Sequence, residues 1–191
     1  MYSENDLQNP VLNAVISNNL QYILDCVNEH KDIDQVSTYH VTALQLALYM
    51  GNRDKMCTML VRGGASMQCT DMNGATALLI AAQSDSSLDD YCDPRVQVYH
   101  PARPGADPNA CNKVGMTALH YAIGRLNLKN CLYLLDHGAD WEIDNNDYGD
   151  ALEFATTLST DPDVEKYKIL PILEALQHRH HLRHDKMHLL E

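Results

Sequence analysis

Five of the ten histidines fall in one stretch near the C-terminus, His178-Arg179-His180-His181-Leu182-Arg183-His184-Asp185-Lys186-Met187-His188. On a helix, His180 and His184, or His184 and His188, share a face, a spacing that can chelate Zn²⁺. A structural zinc site wants four ligands, and this stretch holds no cysteine, so a frayed polar helix end is the commoner role. A second concentration is acidic: Asp136, Asp140, Glu142, Asp144, Asp147, Asp150 and Glu153, with no Lys or Arg between 136 and 153. Such a face suits a basic partner and speeds its association, although a solvated surface explains most acidic faces. His120 stands alone, and the six cysteines (Cys26, Cys57, Cys69, Cys92, Cys111, Cys131) form no Cys-x-x-Cys pair. No phosphate loop, Gly-x-Ser-x-Gly, dinucleotide fingerprint or His-Glu-x-x-His appears. No carboxylate pair is marked for acid–base work by an enclosing cleft. The expectation is a chain with no catalytic residues, no cofactor and no resident metal.

Composition narrows the class. The chain has 191 residues, with 26 Asp and Glu against 14 Lys and Arg, a net charge of −12. Nucleic acid is therefore not expected as a partner, since phosphate binding needs clustered positive charge. The longest apolar run, Ala77–Ala82, is far shorter than the ~20 residues that cross a bilayer. The N-terminus, Met-Tyr-Ser-Glu-Asn-Asp, lacks the basic start and apolar stretch of an export signal. Scattered cysteines in such a chain read as reduced thiols, which points to the cytoplasm or nucleus.

The elements that position these residues come from repetition, which is sought first. Thr42-Ala43-Leu44, Thr76-Ala77-Leu78 and Thr117-Ala118-Leu119 recur at spacings of 34 and 41 residues, and Asp150-Ala151-Leu152 follows 33 residues later. A small residue stands three positions after each Leu: Ala47, Ala81, Ala122 and Ala155. The Thr is placed to cap a helix, and Leu with Ala forms one helical face on which a neighbour can approach closely. Breaks at Gly51-Asn52 and Leu126-Asn127 separate this helix from a second, through Met56, Met59 and Leu60 or through Cys131, Leu134 and Leu135. Gly63-Gly64-Ala65 and Gly138-Ala139-Asp140 then end the unit, because a left-handed stop is cheapest without a Cβ. Two short helices cannot bury their own apolar faces, so consecutive units must stack.

On these residues the chain resembles the ankyrin repeat family. Asn112-Lys113-Val114-Gly115-Met116-Thr117-Ala118-Leu119-His120-Tyr121-Ala122, closing on Gly138-Ala139-Asp140, matches the family's Gly-x-Thr-Pro-Leu-His-x-Ala opening and Gly-Ala-Asp close, with Ala118 in place of Pro. The resemblance implies an all-α solenoid of about five helix-turn-helix units, at 8–36, 37–70, 71–111, 112–144 and 145–177, with a His-rich tail at 178–191. In that family the His of the motif is structural, which assigns His120 to the turn rather than to catalysis. Units three and five depart from the pattern. The third is too long, and His100-Pro101-Ala102-Arg103-Pro104 replaces its expected leucines, so 86–104 is a displaced helix or a long loop. In the fifth, Pro162 suits a first helical turn and Pro171 should kink or split the last helix.

Ankyrin proteins generally bind through turn tips and the exposed side of the first helices. Carried over by position, the partner-binding residues are Tyr39, Val41, Tyr49, Met50, Met72, Asn73, Lys113, Val114, Met116 and Arg125. Many are apolar or aromatic at positions the fold exposes, which marks protein-binding surface. Ala75 is expected on the same surface, and Asp147 and Tyr148 extend it into a fifth unit shifted by one residue. The resemblance implies a non-catalytic protein-binding module, a regulatory subunit or inhibitor of its partner. Small proteins made of ankyrin repeats include inhibitors of cyclin-dependent kinases, which gives a cell-cycle kinase as its most concrete partner. A cofactor or inhibitor masking a basic segment of a transcription factor is the second reading, and a metal-linked role of the tail the third.

Overall fold

A computed structural model describes residues 8–51, 54–84 and 105–188, with side chains as far as 181. Over these residues the chain forms nine α-helices: α1 (Pro10–Ile16), α2 (Leu20–Asn28), α3 (Ala43–Met50), α4 (Asp54–Arg62), α5 (Ala77–Gln83), α6 (Ala118–Gly124), α7 (Leu128–Asp136), α8 (Ala151–Thr160) and α9 (Lys166–His188). No strand occurs among them, only three isolated bridges, Val36 to Thr42, Cys111 to Thr117 and Asn145 to Gly149. The fold is an all-α solenoid.

Seven of the nine described helices begin where a short polar side chain replaces a missing backbone partner. Thr42, Thr76 and Thr117 cap α3, α5 and α6, Asp150 caps α8, and Asn9, Asn19 and Asn127 cap α1, α2 and α7. Each cap accepts from a free backbone N–H in the first turn and contributes about 1 kcal/mol. The first helices of the units pack side by side in one row, α1 on α3, α3 on α5, α5 on α6 and α6 on α8. The second helices lie behind them, with α2 on α4 and α7 on α9. Ala47, Ala81, Ala122 and Ala155 are fully buried between neighbouring front helices, as are Leu44, Leu78 and Leu119. Burying one such Leu contributes about 1.5–3 kcal/mol. Cys57 and Cys131 are buried in the rear row, and burial pushes the Cys131 thiol up to about 12, so it packs as a small apolar group.

The third unit contributes α5 to the front row. The stretch 86–104, read above as displaced helix or loop, lies outside the described residues. The fifth unit differs from expectation in two respects. Pro162 sits in the turn between α8 and α9 rather than in a first helical turn; Asp161 accepts there from Asp163 N–H at 2.9 Å. Pro171 neither ends nor splits α9, which runs through it for 23 residues. Ile169, Ile172, Leu173 and Leu176 are buried on both sides of the proline and hold the helix against α7 and α8. Further along, the Arg179 guanidinium donates to Leu135 O at 3.1 Å and pairs with Asp136, at the C-terminal end of α7 where a helix favours a cation. His180 packs its ring on Trp141 at 5.4 Å. The described start of the histidine-rich stretch is thus part of α9 and docked on the body.

Candidate partner-binding site

The turn tips are built by one device used four times. Five residues before each front-helix cap stands a short polar side chain: Ser37, Asp71, Asn112 and Asn145. Ser37 Oγ accepts from Tyr39 and Val41 N–H, and Asp71 Oδ1 from Asn73 and Ala75 N–H at 2.8 and 2.9 Å. Asn112 Oδ1 accepts from Val114 and Met116 N–H, and Asn145 Oδ1 from Asp147 and Tyr148 N–H. These side-chain turns fix the backbone of each tip. Adjacent tips are also joined: Lys113 N–H donates to Asn73 O at 3.0 Å, and Asn146 N–H to Val114 O at 3.3 Å. The signal for this series in the sequence is its constant five-residue offset from the caps.

The left-handed residue of the tip is Gly74, Gly115 or Gly149 in the later units but His40 in the second, at φ 58°. A side chain there is strained, at a cost of about 1–2 kcal/mol.

On this frame the expected residues separate into two groups. Tyr39, Tyr49, Met72 and Val114 are about half exposed, and Asn73, Lys113 and Arg125 are exposed as well. Val41, Met50 and Met116 are half-buried and pack against the core with part of their surface. Ala75 differs from expectation: it is buried, because its carbonyl receives Gln45 and its N–H bonds Asp71. Tyr148 is half exposed and stacks on Phe154 at 5.1 Å. Tyr39, Met72, Val114 and Tyr148 therefore place one exposed apolar side chain on each of four successive tips.

Tyr49 serves the fold as well as the surface. Its hydroxyl donates to Asp71 Oδ2 at 2.6 Å, and burial together with that carboxylate raises its pKa above the ordinary phenol value. Asp71 in turn holds the third tip, so removing the Tyr49 hydroxyl deprives a buried carboxylate of a donor. Replacing Tyr49 therefore touches the fold as well as the surface. Asn112 Nδ2 has a comparable partner in Tyr121 Oη at 2.9 Å, whereas the buried Asn145 Nδ2 has none among the described residues.

A second series runs along the junctions between units. Gln45 Oε1 accepts from Thr42 N–H, and its Nε2 donates to Cys69 O at the end of its own unit and to Ala75 O of the next, both at 2.9 Å. His120 holds the matching position two units on. Its Nδ1 accepts from Thr117 N–H at 3.3 Å while Nε2 reaches Gly149 O at 3.4 Å, which the neutral Nε2–H tautomer satisfies. Burial lowers the His120 pKa below the ordinary value; the Gly149 carbonyl and the carboxylates of Asp150 and Asp144 oppose this and do not overcome it. His120 is structural by this geometry. Leu79 fills the position in the third unit and Glu153 in the fifth.

Glu153 lies on α8, the last front helix among the described residues. There Asp147, Tyr148, Leu152, Glu153, Thr156 and Thr157 line an open groove of about 620 Å³. Among the described residues no group of three or more His, Cys, Asp and Glu side chains is placed to hold a metal ion, and no helix is long and apolar enough to cross a membrane.

Comparison with known proteins agrees with this architecture. The family described as Ankyrin repeat matches residues 114–146, the fourth unit and the start of the fifth. No curated protein sequence matches the chain. Among solved structures, the ankyrin repeat domain of Bcl-3, titled a unique member of the IkappaB protein family, is similar with a TM-score of 0.67 and 24% identity, over 87% of this chain and 71% of that one. Capped front helices, close-packed alanines, the matched fourth unit and the similarity of the stack lead to one conclusion: the chain carries an ankyrin repeat at 114–146 within a stack that has the fold of an ankyrin repeat domain.

Proposed function

We propose that the chain is a non-catalytic regulatory subunit or inhibitor that binds one partner protein across its turn tips and front-helix ends. The observation that carries this is the row Tyr39, Met72, Val114 and Tyr148, an exposed apolar group on each of four successive tips whose backbones are fixed by side-chain turns. Apolar and aromatic groups held rigid at the surface pay little ordering cost on association and make good anchors. Asn73, Lys113 and Arg125 supply polar contacts at the rim. A protein kinase of the cell cycle is the partner we put first, on the resemblance to small ankyrin inhibitors. A transcription factor with a basic segment is favoured by a separate observation, the run 136–153 free of Lys and Arg. A cytoplasmic or nuclear location accompanies both readings.

The test is capture of partners from native lysate on the intact chain and on a Tyr39→Ser, Met72→Ser, Val114→Ser triple variant. Tyr49 is left in place because of its bond to Asp71. A partner held by the parent and lost by the variant, at unchanged circular dichroism, supports the tip row. Equal recovery by both removes it. If the partner is a kinase, its activity with and without the chain distinguishes inhibitor from activator.

A further inference from the structure

At three junctions the residue three after the helix cap meets the following unit. Gln45 and His120 do so as hydrogen-bond donors, each sending an N–H to one backbone carbonyl of the next unit. Leu79 does so by packing, and is 1% exposed. Glu153 breaks the series. Ionised, it has no proton to give, so it cannot make the donor bond with which Gln45 and His120 join one unit to the next. It is exposed, and neither it nor Asp147 pairs with a cation among the described residues. The flank of α8 that carries Glu153 forms a groove lined by Tyr148, Leu152, Thr156 and Thr157 together with these two acidic residues. An aromatic face and an aliphatic floor beside acceptor-only groups fit the stem and charged head of a long basic side chain. At about 620 Å³ the groove has room for such a side chain and its neighbours in sequence. A second copy of this chain fits poorly, since each copy carries −12.

We propose that this terminal flank is a docking site for a basic segment of a partner protein, with an Arg or Lys head between the Tyr148 ring and the carboxylates of Asp147 and Glu153. The site rests on the protein-binding reading above but lies at the end of the stack, apart from the tips of units two to four. It adds a charge requirement to the apolar row, so the partner carries a cationic segment next to its apolar contacts.

The test uses the full chain, ¹⁵N-labelled, titrated with a peptide of four Arg-Leu repeats, against a peptide of four Glu-Leu repeats as control. Shifts confined to the amides of 145–157, with no response to the acidic peptide, are expected. An Asp147→Asn, Glu153→Gln double variant keeps side-chain size and should weaken the basic peptide at least tenfold while leaving the melting temperature unchanged. Raising salt from 50 to 300 mM should weaken the parent and barely affect the variant. Equal affinity of parent and variant overturns the proposal, and so do shifts spread over the whole acidic surface. Shifts centred on Tyr39, Met72 and Val114 also overturn it while leaving the tip reading intact. Concentration-dependent dimerisation abolished by the double variant would assign the flank to a second copy and overturn it too. The lysate test on the tip variant keeps all of the flank residues, so the two readings fail separately.

Discussion

His120 shows how little an isolated reactive-looking residue says until its neighbours are known. Its ring closes a turn on one side and reaches the next unit on the other, and the turn bond needs the neutral ring, because a protonated Nδ1 cannot accept from Thr117 N–H. Because burial depresses its pKa, the unfolded chain takes up the proton first as pH falls. The stability tied to neutral His120 is therefore complete above the ordinary histidine value of about 6.5 and is lost as pH falls from there to the depressed folded value. Denaturant titrations at pH 7.5 and 5.5 should show a smaller pH dependence for His120→Gln than for the parent, Gln being the residue that does this work at position 45. His40 offers the opposite kind of test. His40→Gly removes left-handed strain from an exposed residue and should raise stability by about 0.5–1 kcal/mol in thermal unfolding. Tyr49→Phe should lower it by about 1–3 kcal/mol, since Asp71 loses a donor while the aromatic body stays.

At the scale of the helices, the sequence was legible wherever a pattern repeats. Thr-Ala-Leu followed by Ala located the front helices, and paired apolar residues located α4 and α7. The exposed Tyr39, Met72 and Val114 followed from register alone. What could not be read depended on partners distant in sequence. Ala75 looks like a tip residue until Gln45, 30 positions away, is found on its carbonyl. Pro171 looks like a helix breaker, yet the buried Ile169, Ile172, Leu173 and Leu176 supply more than one lost backbone bond costs. The Tyr49–Asp71 bond crosses 22 residues and leaves no local signature. Rear-row packing gives this scale its own prediction. Leu134 is fully buried in α7, so Leu134→Ala should cost about 2–5 kcal/mol and lower the unfolding midpoint in denaturant.

Across the whole molecule, the two series of hydrogen bonds have separate duties. Ser37, Asp71, Asn112 and Asn145 shape the tips, while Gln45 and His120 join one unit to the next. The joining bonds end on the main-chain oxygens of Ala75 and Gly149, and every amino acid carries such an oxygen. Apart from the Tyr49 bond to the Asp71 side chain, these hydrogen-bonded joints therefore do not read the side chains of the unit they hold. Residues such as Met72 or Val114 can be exchanged without altering the joint beneath them, so the array behaves as a rack whose labels can be rewritten one at a time. With partners bound at the tips as proposed, variation there would redirect the protein to new targets while its assembly rules stay fixed.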